Sequence, residues 1–567
     1  MKIGIALIVG LVGSVFCPAS VAIDSAVYTN GLIYTVDPRQ PWAEEIRVTD
    51  KMITCVGQQG DCSASGATII DLKGKFVMPG VIDSHTHLRY APGTKHLSVA
   101  DATSRDEFRA LINAHARRFP DLEWITGDGW NYAWFDGGLP SAADLDGLAD
   151  GKPIMLTSYD AHTTLLNKAA MDAFGITRDM PASASGAVEF DTSGDPTGIV
   201  KATLYVSDDN PLARDGVLPP PDEEDLYQSF LNNLAEASSF GITTFVEPQN
   251  YPEDLAFFER ARREDKLNAY AHLALYYTPG IDAETHALYR SIRDAYADDA
   301  QIKVPAVKLY IDDVIESETA ALFEPYMGSH DNRGELFYRP GQFKELVSKL
   351  DKDGFQLFIH AIGDRGISTA LDALETSRAA NGAPLRPHQL VHVELIQPQD
   401  VIRMAALDVS AAVQPRHMSP DVSLQWAKSI GEARLKNAWP LKSMHNAGVR
   451  FAFSSDWNVV EMNPMTGIYT AVTRKGLSGE PKAGWQPQQR IDIATAIHGY
   501  TLGGAVSNGI GSERGSIEVG KFADLIVLDH NLFEVDADAI KDVRVMQTVF
   551  EGRSVFKRSA RNVGSSH

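Results

Sequence analysis

Short apolar runs recur along the chain, and from about residue 240 onward each is followed by residues at helical spacing. The runs "VMPGVIDSH" (77–85), "GITTFVEP" (241–248), "LNAYAHLAL" (267–275), "VPAVKLYID" (304–312), "FQLFIHA" (355–361), "HQLVHVEL" (388–395), "DVSAAVQP" (408–415) and "RFAFSSD" (450–456) read as strands. Strands alternating with amphipathic helices imply a parallel sheet, and eight is the number that closes a barrel. The pattern therefore predicts an α/β fold with a (β/α)8 TIM-type barrel. With the irregular stretch 89–222 set aside, the span 77–456 keeps roughly 250 residues, the usual length of such a barrel. That stretch, rich in Asp, Gly, Pro and aromatic residues ("GDGWNYAWFDGGLP"), is expected to be a large insertion after strand 1. It would roof the C-terminal mouth as a lid and specificity region.

Both chain ends change period. "AVYTNGLIYTVD", "EIRVTDKMITCVG", "GSIEVGKFADLIVLD" and "VRVMQTVFEGRSVFK" alternate apolar and polar positions between Gly and Asp turns. A small β-sandwich domain composed of both ends (23–75 and 510–558) is expected around a barrel unit (76–509), with 559–567 as a flexible tail. The opening "MKIGIALIVGLVGSVFCPASVA" sets Lys2 before an apolar core and ends Ser20-Val21-Ala22, so residues 1–22 read as a signal peptide. Export to the periplasm or outside the cell is the expectation. No later run reaches the ~20 apolar residues of a membrane span.

Composition narrows the function. The 567 residues, 44% of them hydrophobic, suffice for a large core, and a formal net charge of −22 repels phosphate backbones, so a nucleic-acid partner is not expected. Once Cys17 leaves with the signal, Cys55 and Cys62 remain, either as a bridged pair or as two thiols in a β domain.

The candidate chemistry sits where the apolar runs stop. His85 and His87, two residues apart, would share one face of a strand and could hold a metal ion. His360, His392 and Asp456 close or follow the runs expected as strands five, six and eight. Lys308 interrupts the apolar "AVKLYI", where a bare ammonium is poorly solvated and burial favours the neutral amine. A neutral amine can take up carbon dioxide as a carbamate, an anion able to bridge two metals; the competing reading pairs Lys308 with solvent or an acid such as Asp312.

With "PGVIDSHTH", "VKLYIDDVIESETAALFEPY", "HAIGDRG", the histidine of "LVHVEL", "FSSDWNV" and "GSIEVGKFADLIVLD" in view, the chain resembles the amidohydrolase superfamily. The likeness is to the branch of N-substituted formamide deformylase-like (amidohydrolase 3) proteins and covers nearly all of the mature chain. It implies His85 and His87 on one metal, Lys308 as a carbamylated bridge, His360 and His392 on the second, and Asp456 as ligand and catalytic proton shuttle. Relatives tend to carry Asp-Gly where this chain has Asp312-Asp313, and Gly-Ser-Asp-Trp-Pro where it has Ser454-Ser455-Asp456-Trp457-Asn458; no ligand is lost, but a borrowed substrate is not licensed.

Imidazole and carboxylate ligands suit zinc, two ions per subunit, with iron or manganese as the alternatives. The expected reaction is hydrolysis of an amide, formamide or N-acyl C–N bond of a small molecule. A heterocycle deaminase on the same barrel is the runner-up; it would need a glutamate soon after His360, where the chain reads "HAIGD". A binding protein that had lost its chemistry would lack ligands. His162, Asp160, Trp130 and Gln414 are substrate-pocket candidates, weighed against ordinary lid packing, while His272 and His417 read as structural. Barrels of this sort often dimerise, and a homodimer is compatible with the sequence.

Overall fold

The computed structural model describes residues 25–559 apart from 90–92, 94, 136, 181–187, 202–209, 214–215 and 221. The expected signal peptide and nearly all of the expected tail lie outside the described residues. Eight parallel strands stand in chain order: β1 (Val81–Asp83), β2 (Ile242–Asn250), β3 (Tyr270–Tyr276), β4 (Ile302–Tyr310), β5 (Gln356–Ala361), β6 (Gln389–His392), β7 (Ser410–Val413) and β8 (Phe451–Phe453). The ring closes where Ser84 N–H donates to Phe453 O at 3.2 Å. Val246, Ala274, Ala306, Phe358, Val391, Ala412 and Ala452 pack together, filling the axis with a dry plug.

Helices cover the outside with their apolar stripes. In Asp364–Asn381, for example, Ile367, Ala370, Leu371 and Leu374 recur at helical spacing and are buried, joining the core shared with the strands. The run expected as a single first strand is two. Phe76–Pro79 belongs to an end sheet and Val81–Asp83 to the barrel, with the break at Gly80. A Cβ there would come within 2.1 Å of Thr243 Oγ1, so only glycine lets the strands approach.

The ends form a four-stranded sheet from residues 25–71 and a six-stranded sheet that mixes Leu32–Tyr34, Trp42–Ala43 and Phe76–Pro79 with Leu525–Leu528, Val545–Phe550 and Arg553–Lys557. They share a core that includes Ile46, Val48, Val77, Leu525 and Val549. Cys55 and Cys62 are joined by a disulfide, Cα atoms 5.8 Å apart, which closes the open question of their state.

The insertion is not irregular. Leu97–Ser98, Ile125–Trp130, Ile154–Ser158, Thr163–Leu166, Val188–Phe190 and Pro196–Lys201 form a six-stranded sheet with a core of its own around Phe108, Trp130, Leu156 and Ile199. Its strands are short and pair with partners distant in the chain, as Leu97–Ser98 does with Ile125–Trp130, which hides their period from a linear reading. Among the described residues, no helix is long and apolar enough to cross a membrane.

Candidate metal centre

At the end of β1 the backbone leaves the sheet, so His85 and His87 lie beyond the strand rather than on it. They are held by their neighbours: Thr86 N–H donates to Val246 O (3.0 Å), His87 N–H to Trp457 O (2.6 Å), and Asp456 N–H to His85 O (2.8 Å). Beneath them Asp83 accepts from Ser455 N–H at 2.9 Å and Ser455 Oγ–H at 2.6 Å, stitching the ends of β1 and β8 together.

The strand ends bring their side chains to one place. Asp456 Oδ1 lies 3.1 Å from His87 Nε2 and 3.3 Å from His85 Nε2, and Oδ2 lies 3.6 Å from His392 Nδ1. Lys308 Nζ is 3.4 Å from His85 Nε2 and 4.8 Å above the Tyr310 ring, with none of the residue exposed. The His360 and His392 rings are 4.5 Å apart, and His392 is 5.3 Å from His85. Register explains His360: it pairs with Tyr310, so it shares the inward face with Lys308. His392 pairs with Ala361, one place out of that alternation, and reaches the group because its φ is +76°. Asp456 likewise has φ +58°. Left-handed backbone at such residues costs about 1–3 kcal/mol each and persists where surrounding contacts hold it, as at functional sites.

The electrostatics suit cation ligation. Burial lowers Lys308 from 10.5 to about 7, an effect the nearby Asp456 carboxylate opposes. Burial, reinforced by the neighbouring Lys308 charge, also holds His85, His360 and His392 well below the ordinary imidazole value, leaving their lone pairs free. Burial alone would raise Asp456, yet His85 and His87 hold it well below the carboxylate range. His392 Nδ1–H donates to Gln414 Oε1 at 3.0 Å, and Gln414 Nε2–H donates to Ser454 Oγ at 3.0 Å, which leaves His392 Nε2 as the ligating nitrogen. His85, His392 and Asp456 each offer a ligand atom within 4.8 Å of the others. Buried, convergent nitrogen and oxygen donors of this kind fit zinc.

Lys308 does not pair with Asp312. That carboxylate accepts from the N–H groups of Ile362 (3.0 Å), Gly363 (2.8 Å) and Ala321 (3.0 Å), so it braces a loop. Asp313 engages His162 Nδ1, and this contact raises His162 despite its burial.

A cavity of about 1030 Å3 opens above the group. Its wall includes His85, His87, His360, His392 and Asp456, with His96, Asp128, Trp134, Tyr159, Asp160 and His162 from the insertion. Asp160 accepts from Tyr132 Oη–H at 3.1 Å and from His162 N–H at 3.1 Å, a buried anchor at the wall. Two substrate-pocket expectations need correction. Trp130 is fully buried in the core of the insertion, its Nε1–H donating to Leu156 O at 2.9 Å, and its neighbour Trp134 lines the cavity instead. Gln414 is fully buried and orients His392 rather than lining the cavity.

Several residues at the centre escaped the sequence reading. His417, read as structural, has Nε2 3.7 Å from Asp456 Oδ2. Glu394 sits two residues after His392 in "HVEL", an adjacency that was a usable signal. Glu247, buried with Oε1 3.9 Å from His87 Nδ1, interrupts the apolar run of β2 as Lys308 interrupts β4, a signal of the same kind. Arg416 joins Glu461 (2.6 Å) and Asp421 (3.4 Å) at the cavity wall.

A barrel with such a rim defines a metal-dependent hydrolase. Residues 68–556 match the amidohydrolase family, and the chain belongs to it. It is 28% identical over 555 residues to the Arabidopsis thaliana protein LONG AFTER FAR-RED 3, covering 95% of this chain and 92% of that one. It is 27% identical to N-substituted formamide deformylase of Arthrobacter pascens, covering 94% and 98%. Its fold matches the crystal structure of an uncharacterised metal-dependent hydrolase from Pyrococcus horikoshii OT3, with a TM-score of 0.69, 23% identity, and coverage of 90% and 99%.

Proposed function

We propose that the protein hydrolyses the C–N bond of an amide, formamide or N-acyl compound, using two zinc ions held by His85, His87, Lys308 as its carbamate, His360, His392 and Asp456. The observation that carries this reading is Asp456, whose Oδ1 lies 3.1 and 3.3 Å from the Nε2 atoms of His87 and His85, next to a lysine buried beside His85. When bound, the ions supply a water acidified toward neutral pH and a polarised carbonyl. The chain does the rest. Asp456, anionic and accessible from the cavity, takes a proton from the attacking water and returns it to the departing nitrogen. Lys308, its amine lowered to about 7 by burial, has a substantial neutral fraction near pH 7 that can accept carbon dioxide. The deformylase among the relatives supports a C–N substrate. A deaminase is disfavoured by Lys308 and by "HAIGD" after β5.

The cavity is large for formamide alone, so the substrate carries a bulky group held by the insertion wall. The disulfide in the end domain supports an exported protein, because such bridges persist in oxidising compartments. The test is a screen of N-acyl amino acids, formamides, carbamates and lactams with wild type and Asp456→Asn. The variant is expected to lose about 10²- to 10⁴-fold in kcat on the best substrate. Wild-type activity in the variant would remove Asp456 from the mechanism.

A further inference from the structure

Glu247 lies within β2 with none of the residue exposed. Its Oε2 accepts from Arg89 N–H at 3.1 Å, while its Oε1 has no hydrogen-bond partner among the described residues. That second oxygen stands 3.9 Å from His87 Nδ1. The Arg89 guanidinium is turned elsewhere, paired with Asp254 at 2.5 Å and lying 4.4 Å over the Phe257 ring.

The opposite nitrogen of His87 faces the metal centre, since Nε2 is 3.1 Å from Asp456 Oδ1. Strand β2 fixes both sides of this arrangement. Val246 O accepts from Thr86 N–H at 3.0 Å, which ties the loop carrying His87 to the strand. Asn250 Nδ2–H donates to Glu247 O at 3.0 Å and to Ala274 O at 3.1 Å, which holds the strand beneath the carboxyl group. A buried acceptor left unmatched is unfavourable, and the ring nitrogen that faces this one is Nδ1. At 3.9 Å the pair is short of a hydrogen bond by less than about 1 Å. Burial pushes Glu247 well above the ordinary carboxyl value, against the Arg89 N–H and the Arg89 charge. A cation held on the far nitrogen of His87 favours the ionised acceptor.

We propose that Glu247 is a positioning residue for the metal centre: by accepting Nδ1–H of His87 it keeps the lone pair on Nε2, the nitrogen that ligates. The inference rests on the two-ion reading above only through His87 as a ligand. The direction of the proton is what matters. In Glu247→Gln the amide oxygen is claimed by Arg89 N–H, so the amide N–H groups point at His87 Nδ1. Nδ1 must then accept, and the ring proton moves to Nε2, where it competes with the metal.

The test is zinc affinity on the full chain, stripped with a chelator and titrated with zinc chloride against a chromogenic competitor. Glu247→Gln is expected to weaken the binding step that His87→Ala weakens, by about 10- to 100-fold, to leave the other step as in wild type, and to melt within a few degrees of wild type without metal. Adding Glu247→Gln to His87→Ala should change nothing further, because the effect runs through that ring. Unchanged affinity in Glu247→Gln, or equal weakening of both steps, would overturn the role. Should Glu247→Gln not fold, the 15N-histidine spectrum of the zinc-loaded wild type decides. A His87 Nδ1–H shifted downfield by a carboxylate supports the assignment, whereas a proton on Nε2, or an Nδ1–H exchanging freely with water, refutes it. If His87→Ala binds zinc as wild type does, or neither binds any, the two-ion reading fails and Glu247 falls with it; if His87→Ala weakens zinc and Glu247→Gln does not, only the role of Glu247 is lost.

Discussion

The two ends of the barrel bury histidines under the same plug and use them differently. Toward the base, His272 on β3 is 1% exposed, and burial lowers it to about 3. Its Nε2 meets Gln356 Oε1 at 3.2 Å, and Gln356 Nε2–H in turn donates to Pro387 O and Ser507 O, at 2.6 and 2.7 Å. The hydrogen-bond partners of His272 and Gln356 are neutral. At the rim four imidazoles, an amine and a carboxylate face one another. Burial lowers His272 at one end and His85, His360 and His392 at the other; only convergence on a shared centre makes the rim a cation site.

The largest effect should come from Lys308→Met. Activity is expected to fall more than ~100-fold, while the melting temperature stays at or above that of wild type, because a buried amine gives way to an apolar side chain. Steady-state assays and thermal melts check both, and a destabilised variant would mark Lys308 as structural. Chelation comes next. Dialysis against a chelator should remove activity, zinc should restore it, and the circular dichroism should persist throughout, since the plug and the outer helices do not depend on the rim. His272→Ala should do the reverse, lowering stability by about 1–3 kcal/mol through the unmatched Gln356 while keeping zinc content and kcat near wild type; loss of zinc would erase the distinction between the two ends.

The smallest effect tests the base again, through pH. Burial alone would raise Asp351, but hydrogen bonds from His388 Nε2 (3.1 Å), Ser377 Oγ (2.5 Å) and Asn381 Nδ2 (3.0 Å) lower it to about 2. A depressed carboxylate favours the fold when ionised. Its contribution is therefore complete above the unfolded value near 4 and is lost as pH falls through about 2. Urea melts should show Asp351→Asn less stable than wild type at pH 5, by about 1 kcal/mol, with the gap narrowing toward pH 2.

Much of the architecture was legible because β2 through β8 are apolar runs ending at polar residues. The rim was legible where a costly residue interrupts such a run, as Lys308 does, or where a ligand type recurs at strand ends, as with His360 and Asp456. The insertion was not, since its strands are short and pair with neighbours distant in the chain, such as Leu97–Ser98 against Ile125–Trp130. Trp130 closes a strand and packs into that core, whereas Trp134 ends the following short turn (Tyr132–Trp134) and reaches the cavity, a distinction that composition does not make.

The chain's own order determined the parallel barrel, the folding of both ends together and the inventory of metal-compatible side chains, because periodicity and burial cost are properties of short segments. The tertiary structure decided which of those side chains meet. His392 enters through a left-handed backbone, His85 and His87 through hydrogen bonds from β2 and the β8 loop, and Glu394 and His417 through packing against Trp426 and Asp456. Such contacts join residues far apart in the chain, and their strength depends on distances that no local pattern encodes.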